Sequence, residues 1–336
     1  MSVDIKMLAK SLNLSISTVS RALRDSYEIS HKTKARVQKM ARELNYYPNR
    51  YASSLRKRKS RTIAVMIPEI TNTFFARGID GIESVAQEKD YHVLIYLTHE
   101  NTEKEIDFAN HLQNGRVDGI LASLSSETCN YDHFINLKNQ GIPIVFFDRI
   151  CEAIESSHIT TDDFQSGFAA TEHLISKGCK KIAYLDLSQY LSISNKRMLG
   201  YIEALKKNNL DHDERMVMRF TNDNEANEEL ISRMLLSSDR PDGIFASVEK
   251  LAIATYHVCE KLRIKIPQQV KVIGFSNMEI SSLLNPSLST ITQPAFEIGR
   301  QAALQLFRYV EKKNLHTIHE KIILKSTLIP RGSTEM

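Results

Sequence analysis

Asp162 and Asp163 are adjacent acids, and as a pair they could serve acid–base chemistry. Neighbours at the end of one strand point to opposite sides, however, which makes them a poor carboxylate pair. The cysteines Cys129, Cys151, Cys179 and Cys259 are scattered, with no C-x-x-C spacing and no histidine at metal-ligand spacing. Free thiols in a reducing compartment, and no metal, are the expectation. The sequence contains no G-x-x-x-x-G-K-[ST], G-x-G-x-x-G, G-x-S-x-G or H-E-x-x-H. The chain therefore reads as a binder with no catalytic residues and no cofactor.

Binding chemistry is more legible near the start. In "SISTVSRALRD", Ser17, Thr18, Ser20, Arg21 and Arg24 are short polar and guanidinium side chains that can hydrogen-bond base edges and phosphates in a major groove. A helix would have to present them together. Ser15 can cap such a helix, with Ile16, Val19 and Leu23 as its buried face. Before it, Ile5, Leu8, Ala9 and Leu12 fall at i, i+3, i+4, i+7; after it, Ser30 can cap a third helix carrying Val37, Met40, Ala41 and Leu44 at the same spacing. Two short helices, a three-residue turn and a supporting third form a helix-turn-helix unit.

Charge supports this reading. Residues 1–61 hold 15 Lys or Arg against four acids, a net +11, while the rest holds 29 bases against 36 acids, a net −7. A basic head on a mildly acidic body points to a polyanion partner for the head. The first thirty residues hold no long apolar segment and no run of 18 apolar residues occurs, so neither a signal peptide nor a membrane span is expected, and the expected location is the cytoplasm, at the nucleoid.

The body, from Thr62, alternates β-rich runs ("IAVMIP", "HVLIYL", "GILAS", "IVFFD", "KIAYLD", "MVMRF", "GIFAS", "VKVIGF") with amphipathic stretches such as 73–89, 103–114, 164–177, 196–208 and 250–262. Such alternation argues an α/β fold with parallel sheet covered on both faces. Some 270 residues suit two such sheets better than one.

The stretch "LAKSLNLSISTVSRALRDSYEISHKTKARVQKMARELNYYPNRYASSLRKRKSRTIAVMIPEITNTFF" resembles the head and hinge of the lac repressor family of bacterial transcription regulators. The likeness continues in the family's order through "VDGILAS", "IPIVFFDR", "DDFQSGFAATEHLISKGCKKIAYL", "PDGIFA", "VKVIGFSN", "NPSLSTITQPAFEIGRQAA" and "PRGST". It implies a helix-turn-helix domain over 1–48, a hinge helix and linker over 49–61, and a two-lobed body like type I periplasmic binding proteins over 62–336. Lobe 1 would comprise about 62–160 and 291–320, and lobe 2 about 161–290 and 321–332. The chain would cross between these Rossmann-like lobes near 160, 290 and 320.

The resemblance also implies roles. DNA contacts would come from Ser15, Ile16, Ser17, Thr18, Ser20 and Arg21 in the head. The hinge would add Asn49, Arg50, Ala52, Leu55 and Arg56, with Leu55 wedged between base pairs in the minor groove. Read from composition alone, that hinge is a basic, flexible linker, and the hinge helix is the favoured reading. In the cleft, Phe74 and Phe75, Asp148 beside Arg149, Asp162 and Arg197 would face an effector. The set suits a small polyol: an aromatic face, carboxylates for hydroxyls and a forked guanidinium. The plainer alternative leaves the Phe rings as core and pairs the charges with one another. Two positions depart from the family pattern: Val248-Glu249 replaces Asn-Asp, and Gly274-Phe275-Ser276-Asn277 replaces G-F-D-D. Val248 and Ser276 then remove two hydroxyl contacts and leave Arg197 paired with Asp162 as the expected anchor.

The implied function is a transcriptional repressor that binds a pseudo-palindromic operator in double-stranded DNA as a homodimer. Its affinity would be set by a small-molecule effector, a sugar or sugar derivative. No leucine heptad follows Arg331, so no tetramerising tail is expected. A sugar acid held by Arg197, control by a protein partner, and a sugar-binding protein without a DNA role are the alternatives.

Overall fold

The computed structural model describes residues 4–46, 60–113, 116–188, 190–221, 223–311 and 319–335. The chain divides into two compact units, Met1–Ser60 and Arg61–Met336.

In the first unit, α1 (Ile5–Leu12), α2 (Ile16–Leu23) and α3 (His31–Glu43) are each capped by a side chain: Asp4, Ser15 and Ser30 accept from Met7, Thr18 and Thr33 backbone N–H. Asn13, in the left-handed region at φ 54°, ends α1 and makes the turn into α2. Leu8, Ala9, Leu12, Val19, Ala22, Val37 and Ala41 form the core. One expectation fails here. Ile16 is 44% exposed, and Ala22 is buried in its stead. Ile16 is the first helical residue, and the packed face begins a turn later at Val19. The hinge positions Asn49, Arg50, Ala52, Leu55 and Arg56 lie outside the described residues.

The second unit is built on two six-stranded sheets. The first has the order β11-β5-β4-β3-β1-β2, from β1 (Thr62–Ile67), β2 (His92–Leu97), β3 (Gly119–Ala122), β4 (Ile144–Phe147), β5 (Ser157–Thr161) and β11 (Lys321–Leu324). The second has the order β12-β10-β9-β8-β6-β7, from β6 (Ile182–Asp186), β7 (Val217–Arg219), β8 (Gly243–Ala246), β9 (Lys271–Phe275), β10 (Ser289–Thr292) and β12 (Thr327–Ile329). All neighbours are parallel except β10 and β12. The chain passes between sheets after β5, after β10 and after β11, so the last crossing follows Leu324 rather than falling near 320.

Helices cover both faces of each sheet. Alternate residues of β1 serve opposite cores. Ile63, Val65 and Ile67 pack with α4 (Thr73–Glu88) and α11 (Ala295–Glu311); Ala64 and Met66 pack with α5 (Thr102–His111) and α6 (Asp132–Asn139). In β6, Ala183 and Leu185 meet α9 (Asn224–Leu236) and α10 (Glu249–Leu262), while Ile182 and Tyr184 meet α7 (Asp163–Ser176) and α8 (Ser192–Lys207). This burial on both sides is what the continuous apolar strands require. Helix α8 starts at Ser192, earlier than expected, because Leu191 provides no side-chain cap to mark it. Among the described residues no helix is long and apolar enough to cross a membrane.

Candidate DNA-reading helix and effector cleft

On α2, Ser15, Ile16, Ser17 and Arg21 are exposed and Thr18 and Ser20 half-buried. The Ser15 hydroxyl holds the backbone N–H of Thr18 at 3.0 Å and lies 2.8 Å from both the Ser17 and Thr18 hydroxyls. Arg21 forms an exposed ion pair with Glu28 at 2.7 Å, one weak enough for a phosphate or base to displace. Buried Lys34 meets the Asp25 carboxylate at 2.7 Å and so ties the end of α2 to α3.

The second site lies beyond the carboxyl ends of the parallel strands, where open α/β sheets bind ligands. β4 delivers Asp148 and Arg149, β8 Val248 and Glu249, β9 Ser276 and Asn277, and β10 Gln293. From the helices come Phe74 and Phe75, in the first turn of α4, and Arg197 on α8. Asn72 starts α4 by accepting from the Phe74 N–H at 2.9 Å. The two Phe rings meet edge to face, centroids 5.3 Å apart. The cavity these residues line measures about 40 Å³, room for about three waters.

The charges are heavily buried. Arg197 is 3% exposed. It donates from Nε to Asp163 at 2.8 Å and from Nη1 to the Ser247 carbonyl at 2.8 Å. Its guanidinium carbon lies 3.6 Å from the Phe275 ring centroid. Its Nη2, buried, has no partner among the described residues. Asp148 sits at φ 58° and takes one 3.4 Å hydrogen bond from Gln293. Burial pushes its pKa up against the pull of Arg197 and Arg149. Arg149 donates to both oxygens of Glu100, at 2.9 and 2.8 Å.

Phe74, Phe75, Asp148, Arg197, Val248 and Ser276 are thus brought to one cleft; Asp162 is not. It occupies the N-cap position of α7, where Oδ1 accepts from Ser326 N–H at 2.8 Å and Ser166 hydroxyl at 3.0 Å. The partner of Arg197 is Asp163, the next residue, which the strand end turns inward. Burial outweighs the attraction of Arg197 and lifts the Asp163 pKa to about 6. Nor does Ser276 stand alone. It donates to Glu249 at 2.7 Å, so a carboxylate reaches that corner from α10. Asn72 and Gln293, which no sequence motif marks as binding residues, also line the cleft, as does Glu249 beside Val248. The quoted "TITQPAFEIG" contained Gln293, but nothing local shows that Gln293 bonds Asp148 and Thr161 across the strand ends.

Residues 4–49 match the family model described as bacterial regulatory proteins, lacI family, and residues 171–334 match a periplasmic binding protein-like domain. The chain is 30% identical to the NTD biosynthesis operon regulator NtdR of Bacillus subtilis (strain 168), over 98% of this chain and 99% of that protein. It is also 30% identical to the ribose operon repressor of the same strain, over 93% of each. The fold matches a crystal structure of the lac repressor dimer bound to operator and the anti-inducer ONPF, with a TM-score of 0.85 and 20% identity over 99% of both chains. With a capped helix-turn-helix in a basic head and a strand-end cleft in the body, the chain belongs to the lacI family of bacterial regulatory proteins and is a DNA-binding transcriptional regulator.

Proposed function

We propose that the protein represses transcription as a homodimer on a pseudo-palindromic operator and that a small polyol in the cleft sets its operator affinity. The observation that carries this reading is Arg197 Nη2, a buried donor without an acceptor among the described residues, in a cleft that also holds Asp148, whose carboxylate accepts a long 3.4 Å hydrogen bond from Gln293. A hydroxyl satisfies both, accepting from the guanidinium and donating to the carboxylate. Arg197 is already balanced by Asp163, which argues against a sugar acid. On the DNA side, Ser17, Thr18, Ser20 and Arg21 supply the polar contacts, and exposed Ile16 suits a thymine methyl. Leu55 as a minor-groove wedge, together with Asn49, Arg50, Ala52 and Arg56 of the hinge, completes the proposed DNA contacts. Leu94 and Ile95, exposed on the edge strand β2, support association of two bodies.

A polyol that bridges the two sheets favours one lobe angle, and that preference shifts the operator-binding equilibrium. A thermal-shift screen of neutral sugars, amino sugars, sugar acids and nucleosides tests the cleft. Stabilisation by a polyol that Arg197→Ala abolishes supports the reading; an unchanged response in that variant removes Arg197 from the site.

A further inference from the structure

This inference rests on the cleft being an effector site and names the class of effector. Glu249 opens α10 at the cleft wall, where its Oε2 accepts from the Ser276 hydroxyl at 2.7 Å and the Asn277 N–H at 3.2 Å. Both donors are uncharged. Burial pushes the Glu249 pKa up, and the nearby charge that acts on it, Glu69, adds repulsion.

The surrounding charges do not balance. Glu100 is paired with Arg149 and Asp163 with Arg197. Asp148 feels both arginines, and Lys250 faces Glu100 and Glu69. Counting Glu69 and Glu249, five carboxylates meet three cations. Glu69 and Glu249 are only partly buried, and an excess of carboxylates around an enclosed cleft favours a positive partner. Independently, the orphaned Nη2 of Arg197 calls for a ligand oxygen. An anionic ligand supplies the oxygen and worsens the imbalance. A neutral sugar supplies the oxygen and leaves the imbalance. A polyol bearing an ammonium supplies both, since an ammonium is three donors with a charge.

We propose that the cleft takes a cationic polyol, a sugar carrying a protonated amine, and that Glu249 selects the amine while Arg197 and Asp148 hold a hydroxyl. The test is thermal unfolding of the full chain with matched pairs: glucosamine and glucose, galactosamine and galactose, mannosamine and mannose, with gluconate as the anion. The measurements are made below the amine pKa at constant ionic strength. In at least one pair the amine should half-saturate at a concentration at least about tenfold lower, the worth of one charged hydrogen bond. Glu249→Gln, which keeps an acceptor for Ser276 and Asn277, should erase that preference. Equal binding within every responding pair, a preference that survives Glu249→Gln, or tighter binding of gluconate overturns the charge class and leaves a polyol site standing. If none of these compounds stabilises the protein, the polyol reading of the cleft falls, and this proposal with it.

Discussion

Gly167→Ala should displace Arg197 without altering any side chain of the cleft. Helices α7 and α8 cross with their backbones nearly in contact at Gly167 and Gly200. A Cβ on Gly167 would lie 2.3 Å from the Arg197 carbonyl oxygen and 2.9 Å from its Cα, whereas real Cβ atoms essentially never come within 3.0 Å of a neighbour. The helices must therefore part by at least 0.7 Å, the difference between 3.0 and 2.3 Å. Because the obstacle is backbone, no rotamer change relieves it. Taken up along the Arg197 Nε–Asp163 bond, that movement stretches 2.8 Å to about 3.5 Å, past a good hydrogen bond. Overpacking costs up to about 3 kcal/mol, and alanine's better helix propensity returns about 1 kcal/mol, for a net loss of about 2 kcal/mol. Urea unfolding followed by circular dichroism reads the stability, and effector titration reads the site, where affinity should fall roughly tenfold. Gly78→Ala is the control, since its Cβ would find its nearest neighbour at 3.8 Å. A Gly167→Ala protein with wild-type stability and effector affinity would refute the claim that this crossing positions Arg197.

Arg21→Ala should weaken operator binding by ~1–3 kcal/mol through a lost base contact and change random-DNA binding far less; equal losses on both, measured by fluorescence anisotropy, contradict a base-reading role. Operator affinity should drop steeply with salt as phosphate contacts release counterions, and a flat dependence in the same assay would exclude a phosphate-clamping head. Asp163 has a folded pKa raised from 3.8 to about 6, so the stability it contributes is complete below 3.8 and is lost as pH rises through about 6. Asp163→Asn removes that contribution, and urea midpoints across the window should then fall less with rising pH than in wild type; parallel curves would contradict the burial of this charge.

Local patterns carried the head and much of the body. Ser15 and Ser30, each a small hydroxyl just before a helical apolar pattern, are caps that the sequence announces, and the apolar strands β1, β3, β4 and β8 are continuous runs. Signals fade where tertiary contact takes over. The β5 segment "SHITT" looks polar yet is buried throughout, because it lies between β4 and β11 within the first sheet. Helix α8 begins at Ser192, after Leu191, which caps nothing with its side chain and packs into the core of the first sheet. Asp162 and Asp163 could not be told apart in the sequence, since a single step at a strand–helix junction decides which one turns inward. Glu249 and Ser276 are 27 residues apart, so their bond and the carboxylate it brings to the cleft have no local signature.

Coupling between cleft and operator is measured directly. An operator is selected from random DNA with the full-length protein, and its affinity is titrated with the polyol found by thermal screening, for wild type and Arg197→Ala. The polyol should change wild-type operator affinity at least tenfold, within the usual range of allosteric coupling of about 1–3 kcal/mol, while Arg197→Ala binds the operator normally and ignores the polyol. A wild-type affinity that does not move when the cleft is saturated would contradict that coupling.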